Sequence, residues 1–262
     1  MTPSMTFQSR LMLLVLATVP AWACAPGFRI NNYPTSESLF RAGLERLERR
    51  KWDNAVQVFE KLTNELPARD TLLPASYFFL AKAYGGRGDH LLAAQTYRRM
   101  AEAFATDTLA DDALYQAGRE YQKMWRSPTL DPLYGGEALA AYQELLGLYP
   151  DSEWGDSASH QIGVLQEWFA TKDYETGLHY LRRKAYDSAI IYLRDVVERY
   201  PQTARARDAY LKLAQAYDAI RWRDDKAEVC RTMRERYPQD REVAQVCGSA
   251  VAPGAAAQRP PG

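Results

Sequence analysis

Cysteine and histidine are scarce: the chain has three of each among 262 residues. His90, His160 and His179 lie far apart, with no cysteine or second histidine at metal-ligand spacing, so no metal and no cofactor is expected. Neither sign of charge dominates. The 33 Lys and Arg balance 33 Asp and Glu, and without a basic excess nucleic acid is not an expected partner. No apolar run reaches the roughly 20 residues that a spanning helix needs. Alternating Val/Ile/Thr patterns are missing, which argues against strands. Gly-x-Ser-x-Gly and phosphate-loop motifs are absent, and Gly85-Gly86-Arg87-Gly88 falls where a turn between helices is expected. With no recognisable nucleophile or acid/base pair, the chain does not read as an enzyme.

What is present begins with an export signal. Arg10 precedes the apolar run Leu11–Val19, and Ala21-Trp22-Ala23-Cys24 follows. A basic start, a short apolar core and small residues form a secretory signal over 1–23. The Ala-x-Ala pattern alone fits ordinary cleavage and plain secretion. A cysteine directly after it resembles the bacterial lipoprotein signal, making Cys24 the expected lipid anchor. Ala21 stands where such signals usually carry Leu. Ala25 is not the Asp associated with inner-membrane retention, so an outer-membrane destination follows by resemblance. Residues 24–35 then read as a lipidated polar tether.

From Ser36 to Pro238 the apolar residues recur at helical spacing. One phrase repeats: Ala55, Phe59 and Pro67; Ala138, Tyr142 and Pro150; Ala189, Leu193 and Pro201, with the second and third members always at +4 and +12. Ala93 and Tyr97 repeat its first two members, and Ala227 before Pro238 is a looser copy. Upstream of four copies lies a small residue followed by Tyr at +3: Ala81 and Tyr84, Gly118 and Tyr121, Gly177 and Tyr180, Ala214 and Tyr217. In the first copy the phrase degenerates to Gly43 and Arg46. The small residues let two helices approach, the aromatic residues fill the space between, and proline ends the second helix.

This is the tetratricopeptide pattern, with a unit of about 34 residues. The expected fold is all-α: a right-handed solenoid of about five hairpins over 36–67, 74–106, 111–150, 171–201 and 207–238. Two insertions lengthen the array, a loop over 125–136 and an extra helix over 153–170. The tail, 239–262, is expected to be mostly disordered.

A groove lined by the first helix of each hairpin is the expected binding surface. Its candidates are Phe40, Leu44 and Leu47, then Phe78 and Lys82, then Asp112, Tyr115, Arg119 and Lys123. Aromatic residues beside Lys and Arg suit an extended peptide with aromatic side chains and a terminal carboxylate. The same residues could instead be core packing and solvated charge. Cys230 and Cys247 remain as a pair if Cys24 is lipidated. In an exported protein they could form a disulfide, closing a loop of about 18 residues, or Cys230 could be a buried thiol.

Several stretches go beyond a generic repeat. They are Asp111-Asp112-Ala113-Leu114-Tyr115, Asp131-Pro132, Tyr149-Pro150-Asp151-Ser152, and His179-Tyr180-Leu181-Arg182-Arg183-Lys184-Ala185-Tyr186 with Tyr200-Pro201 beyond it. Together they resemble the BamD family of the outer-membrane β-barrel assembly machinery. In four places the chain departs from that family: Leu130 stands for Arg before Asp131-Pro132, Lys184 for Gly, Tyr192 for an Arg in the helix after Ala185-Tyr186 (with Arg194 two residues on), and Phe104-Ala105 for the Tyr-Pro that closes the second hairpin. The resemblance implies a non-catalytic lipoprotein on the periplasmic face of the outer membrane. It implies a BamA-type barrel subunit, contacted through Arg183, Tyr192 and Arg194, as one partner. Unfolded barrel proteins, held by the first three hairpins, and accessory lipoproteins are the others. The alternative is another periplasmic tetratricopeptide adaptor, such as the Tol-Pal-associated division coordinator, whose usual N-terminal heptads are missing before Ser36.

Overall fold

The structure, a computed structural model, describes residues 28–248. The expected signal peptide, Cys24 and the last stretch of the tail lie outside the described residues. Helices α1 (Ser36–Glu48) and α2 (Trp52–Glu65) form the first hairpin, followed by α3 (Leu73–Arg87) with α4 (His90–Ala103) and α5 (Ala110–Met124) with α6 (Leu133–Leu148). Next come α7 (Gly155–Arg182) with α8 (Tyr186–Arg199) and α9 (Ala204–Ala219) with α10 (Arg223–Arg236), then the short α11 (Arg241–Cys247). Successive helices pack against each other along the chain, and no strand occurs among the described residues.

Local chemistry sets the helix ends. Thr35 and Ser38 form a capping box that starts α1, and the Thr203 hydroxyl and Asp240 carboxylate cap α9 and α11. Helices α2, α6, α8 and α10 each stop two residues before a proline: Pro67, Pro150, Pro201 and Pro238. Proline pushes the residue before it out of the helical region. Each of the four short turns between paired helices needs one left-handed residue. Arg50 (φ 54°), Gly88 (φ 96°), Lys184 (φ 60°) and Arg221 (φ 62°) occupy the same place in four hairpins. Lys184 therefore sits at a backbone conformation that glycine adopts without strain.

The repeated small residues make helix contact. A Cβ added at Gly43 would lie 2.7 Å from the Phe59 ring, at Gly118 2.5 Å from Tyr142, and at Gly177 2.7 Å from Leu193. The first helix thus rests on the aromatic or leucine that follows the alanine of the second. In the fifth hairpin the sixteen-residue step from Gly43 to Phe59 and from Gly177 to Leu193 leads from Ala214 to Cys230, which is buried. Ala227 is exposed, so the looser copy of the phrase is corrected: Lys226 and Cys230 hold the positions of Ala189 and Leu193.

Four corrections concern boundaries. The expected separate helix over 153–170 is continuous with the first helix of the fourth hairpin. Together they form α7, with 28 residues and a length of roughly 42 Å. Nothing in Phe169-Ala170-Thr171-Lys172 stops a helix. The first half of α7 buries Ala158 and Leu165 in one core cluster and the second half buries Ala170 and Tyr174 in the next. The tether is also not free over its whole length, because Phe28, Ile30 and Tyr33 pack on the first hairpin, with the Arg46 guanidinium 4.8 Å from the Phe28 ring centre. Beyond Pro238, in the expected disordered tail, α11 buries Val243.

The core forms three clusters. Phe79 packs against both the first and second, and Phe169 against both the second and third, so the array is joined end to end. The 125–136 insertion is a shorter loop than expected, since Leu133–Gly136 begin α6. Trp125, fully buried, anchors it against Gly135, Trp168 and Phe169.

Candidate functional site

Six of the expected groove residues fall into three groups. Lys82 and Arg119 are exposed on α3 and α5, while Phe40 and Leu44 are half-buried on α1. Phe40 meets Phe59 and Phe79 edge-on at 5.7 and 5.8 Å, so most of its ring is committed to packing. Phe78 and Tyr115 are corrected to core residues, 6% and 8% exposed. Phe78 packs edge-on against Tyr97 at 5.2 Å and Tyr115 stacks on Trp154 at 4.5 Å. The sequence pattern marks an aromatic stripe on α3 and α5 but does not say which side of the stripe faces a neighbour.

The exposed strip is thus more polar than expected. Asp112 is half-buried and accepts from Gln116 at 2.9 Å. Burial pushes its carboxyl above the usual range, with Gln116 and the Lys82 charge pulling it back. Lys82, Asp112 and Arg119 therefore form a mixed-charge face across α3 and α5, suited to a peptide backbone and to side chains of either sign.

The three expected partner contacts do not form one patch. Tyr192 and Arg194 are two residues apart on α8, so they point to opposite sides of it. Tyr192 stacks on Tyr180 of α7 at 5.5 Å. Arg194 turns the other way and donates to the Tyr217 hydroxyl at 2.9 Å. That bond, first, and the nearby Glu198 and Asp225 carboxylates raise the Arg194 pKa further. Arg183 closes α7, exposed, with its guanidinium 3.3 Å from the His179 ring. Arg194 lines a cleft of about 400 Å³ between α8, α9 and α10, with Val197, Tyr210, Tyr217, Asp225 and Glu228 around it. Tyr210, Tyr217 and the two acids are site residues that sequence reasoning missed. The +3 tyrosine phrase flags Tyr217, but as packing.

Cys230 and Cys247 are joined by a disulfide that ties α11 to α10. Arg207 on α9 strengthens the clamp, donating to Asp240 and Glu242 at 2.8 Å each and to Asp208 at 3.0 Å. These bonds, Asp240 first, hold the Arg207 guanidinium far above its ordinary pKa, and the same pair lowers the Asp240 carboxyl. Among the described residues no group of three His, Cys, Asp or Glu could hold a metal ion. Nor is any helix there long and apolar enough to cross a membrane. His90 pairs with the buried Glu120 at 2.7 Å.

Residues 33–244 match the family model YfiO, described as an outer membrane lipoprotein. The chain belongs to the YfiO family. Its similarity extends to outer membrane protein assembly factor BamD of Caulobacter vibrioides, 24% identical over 247 residues, which cover 91% of this chain and 78% of that protein. BamD of Xylella fastidiosa is 33% identical over 81 residues, 31% of this chain and 28% of that protein. Among solved structures, the TPR domain of P58(IPK) gives a TM-score of 0.44 at 13% identity, covering 81% of this chain and 54% of that one. The TPR2AB domain of yeast Sti1 gives 0.40 at 14% identity, covering 81% of each. The family match spans all five hairpins of this YfiO-family array and includes α11 through Ala244.

Proposed function

We propose that the chain is a non-catalytic scaffold subunit of the machinery that assembles β-barrel proteins into the outer membrane. In this reading Cys24 carries the lipid and holds the array on the periplasmic face. The cleft beside Arg194 receives a BamA-type barrel subunit, and Arg183 and Tyr192, outside that cleft on the fourth hairpin, are separate contacts with it. The face carrying Lys82, Asp112 and Arg119 receives extended segments of unfolded barrel proteins. Accessory lipoproteins are further partners.

The observation that carries the reading is family membership over 33–244, together with likeness to a BamD protein along 91% of the chain. The division of the surface supports it. A cleft with an arginine held in place by Tyr217 suits a stable protein contact, since a preorganised side chain loses less freedom on binding. The mixed-charge strip suits clients of many sequences.

The test is affinity purification from detergent-extracted membranes, with mass spectrometry of the partners and of the N-terminal peptide. Recovery of a BamA-type barrel protein with a lipid-modified Cys24 is the expected result. An unmodified Cys24 and no barrel partner would overturn the proposal.

A further inference from the structure

A second pocket lies at the end of α3 and α5, beyond the Lys82–Arg119 strip. It has a volume of about 570 Å³ and lies between the α3–α4 turn and the end of α5 with its following loop. Its apolar lining is Leu91, Leu92, Met124 and Leu130. Leu92 and Leu130 are 46% and 50% exposed, though most leucines of the chain are packed away. Leu130 belongs to the insertion, and the insertion is held firmly. Trp125 is buried at one end of the loop, and Lys172 of α7 donates to the Leu130 carbonyl at 2.9 Å. A fixed loop thus presents a leucine to solvent.

The polar rim is positive. Lys123 and Arg126 both line the pocket. Lys123 bonds to Glu120 at 2.6 Å, which leaves two of its three ammonium protons free. Arg126 is exposed and forms no ion pair among the described residues. Asp89 is the acid on the rim, and Arg87 takes its carboxylate. Asp89 also precedes α4 without capping it, so the first turn of α4 (His90, Leu91 and Leu92) presents backbone N–H groups at the pocket wall. Glu120 beneath the rim is hydrogen-bonded to His90 at 2.7 Å and to Lys123 at 2.6 Å.

We infer that this pocket docks a partner protein through a continuous segment that carries leucine-type side chains next to one acidic side chain. The apolar side chains cover Leu92, Met124 and Leu130. The carboxylate sits between Arg126, Lys123 and the start of α4. Charge complementarity selects the acid, and the exposed leucines select its neighbours. The pocket is distinct from the Arg194 cleft and adjoins the Lys82–Arg119 strip through Lys123, one turn beyond Arg119 on α5, and the inference does not depend on the assembly reading.

The test uses the full-length lipoprotein in detergent and a fluorescent peptide of sequence Leu-Leu-Glu-Ala-Leu, blocked at both ends, followed by anisotropy. Saturable binding is expected, with the Gln-for-Glu analogue about tenfold weaker, the equivalent of about 1.4 kcal/mol. Arg126→Glu and Leu130→Ser, both exposed changes, are each expected to weaken binding about tenfold or more. Arg241→Glu, exposed at the start of α11 and outside every surface discussed, leaves it unchanged. Equal binding of the Gln analogue, insensitivity to both pocket variants, loss of binding in Arg241→Glu, or no saturation up to about 1 mM would each overturn the inference.

Discussion

Single side chains in this molecule work against the preferences of their own type, and their replacement should show it. Lys184 occupies the left-handed region at φ 60°. Lys184→Gly should therefore raise stability by about 0.5–1 kcal/mol, the relief of strain exceeding the added freedom of the unfolded chain. Denaturant titration is the measurement, and an unchanged or lower midpoint would contradict this. Gly118 and Gly163 should respond in opposite directions. A Cβ at Gly118 meets the buried Tyr142 ring at 2.5 Å, whereas nothing lies within 4 Å at Gly163, which is exposed in the middle of α7. Gly163→Ala should gain about 1 kcal/mol from helix propensity. Gly118→Ala should lose about 1–2 kcal/mol, because overpacking exceeds the same gain.

Asp112 gives a signed pH effect. Its raised carboxyl pKa, caused first by burial, means that the folded protein binds this proton more tightly than the unfolded chain does. The associated destabilisation is complete above the raised value and disappears below the ordinary carboxylate value of about 4. Asp112→Asn should accordingly stabilise the protein near pH 7 and have no such effect at pH 3. A gain of equal size at both pH values would refute the attribution to charge burial.

At the scale of elements, the last helix is the segment whose order rests on few contacts. Within α11, Val243 is the only buried residue, and the helix is otherwise held by the Cys230–Cys247 bond and the Arg207 cluster. Cys247→Ser should cost about 3 kcal/mol on the loop-entropy argument. Hydrogen exchange should then show α11 opening while α7 and α8 stay protected. Loss of protection throughout the array would instead mean that α11 closes the whole fold.

Element boundaries also show how far the sequence could be read. The small-residue phrases and the closing prolines predict where helices touch and where the second helices end, because each is a local steric requirement. The junction at 170 was invisible, since a helix that changes neighbours halfway needs no break in its own pattern. Cys230 was recognised as a possible disulfide partner but not as the fifth counterpart of Phe59, because cysteine in an aromatic position breaks the phrase. The sides of α3 and α5 were read about one position wrong for Phe78 and Tyr115. An aromatic face is the same signal whether its neighbour is a ligand or another helix.

For the molecule as a whole, the account rests on two surfaces at different places along a joined array. Phe79 and Phe169 connect the three core clusters, so the fourth and fifth hairpins are carried by the same frame as the first three. Recognition of a stable partner at the Arg194 cleft and of clients at the Lys82–Arg119 strip should be separable. Arg194→Glu should reduce recovery of the barrel partner about tenfold or more, and Lys82→Glu should leave it unchanged. A thermal melt of each variant would show whether folding is preserved.

The most direct measurement is photo-crosslinking in living cells from a probe placed at Glu228, on the rim of the Arg194 cleft, with the adduct identified by mass spectrometry. The account predicts one dominant adduct with a BamA-type outer-membrane barrel protein, lost in the Arg194→Glu background. Adducts only with proteins unrelated to barrel assembly, or a barrel adduct indifferent to Arg194, would contradict it.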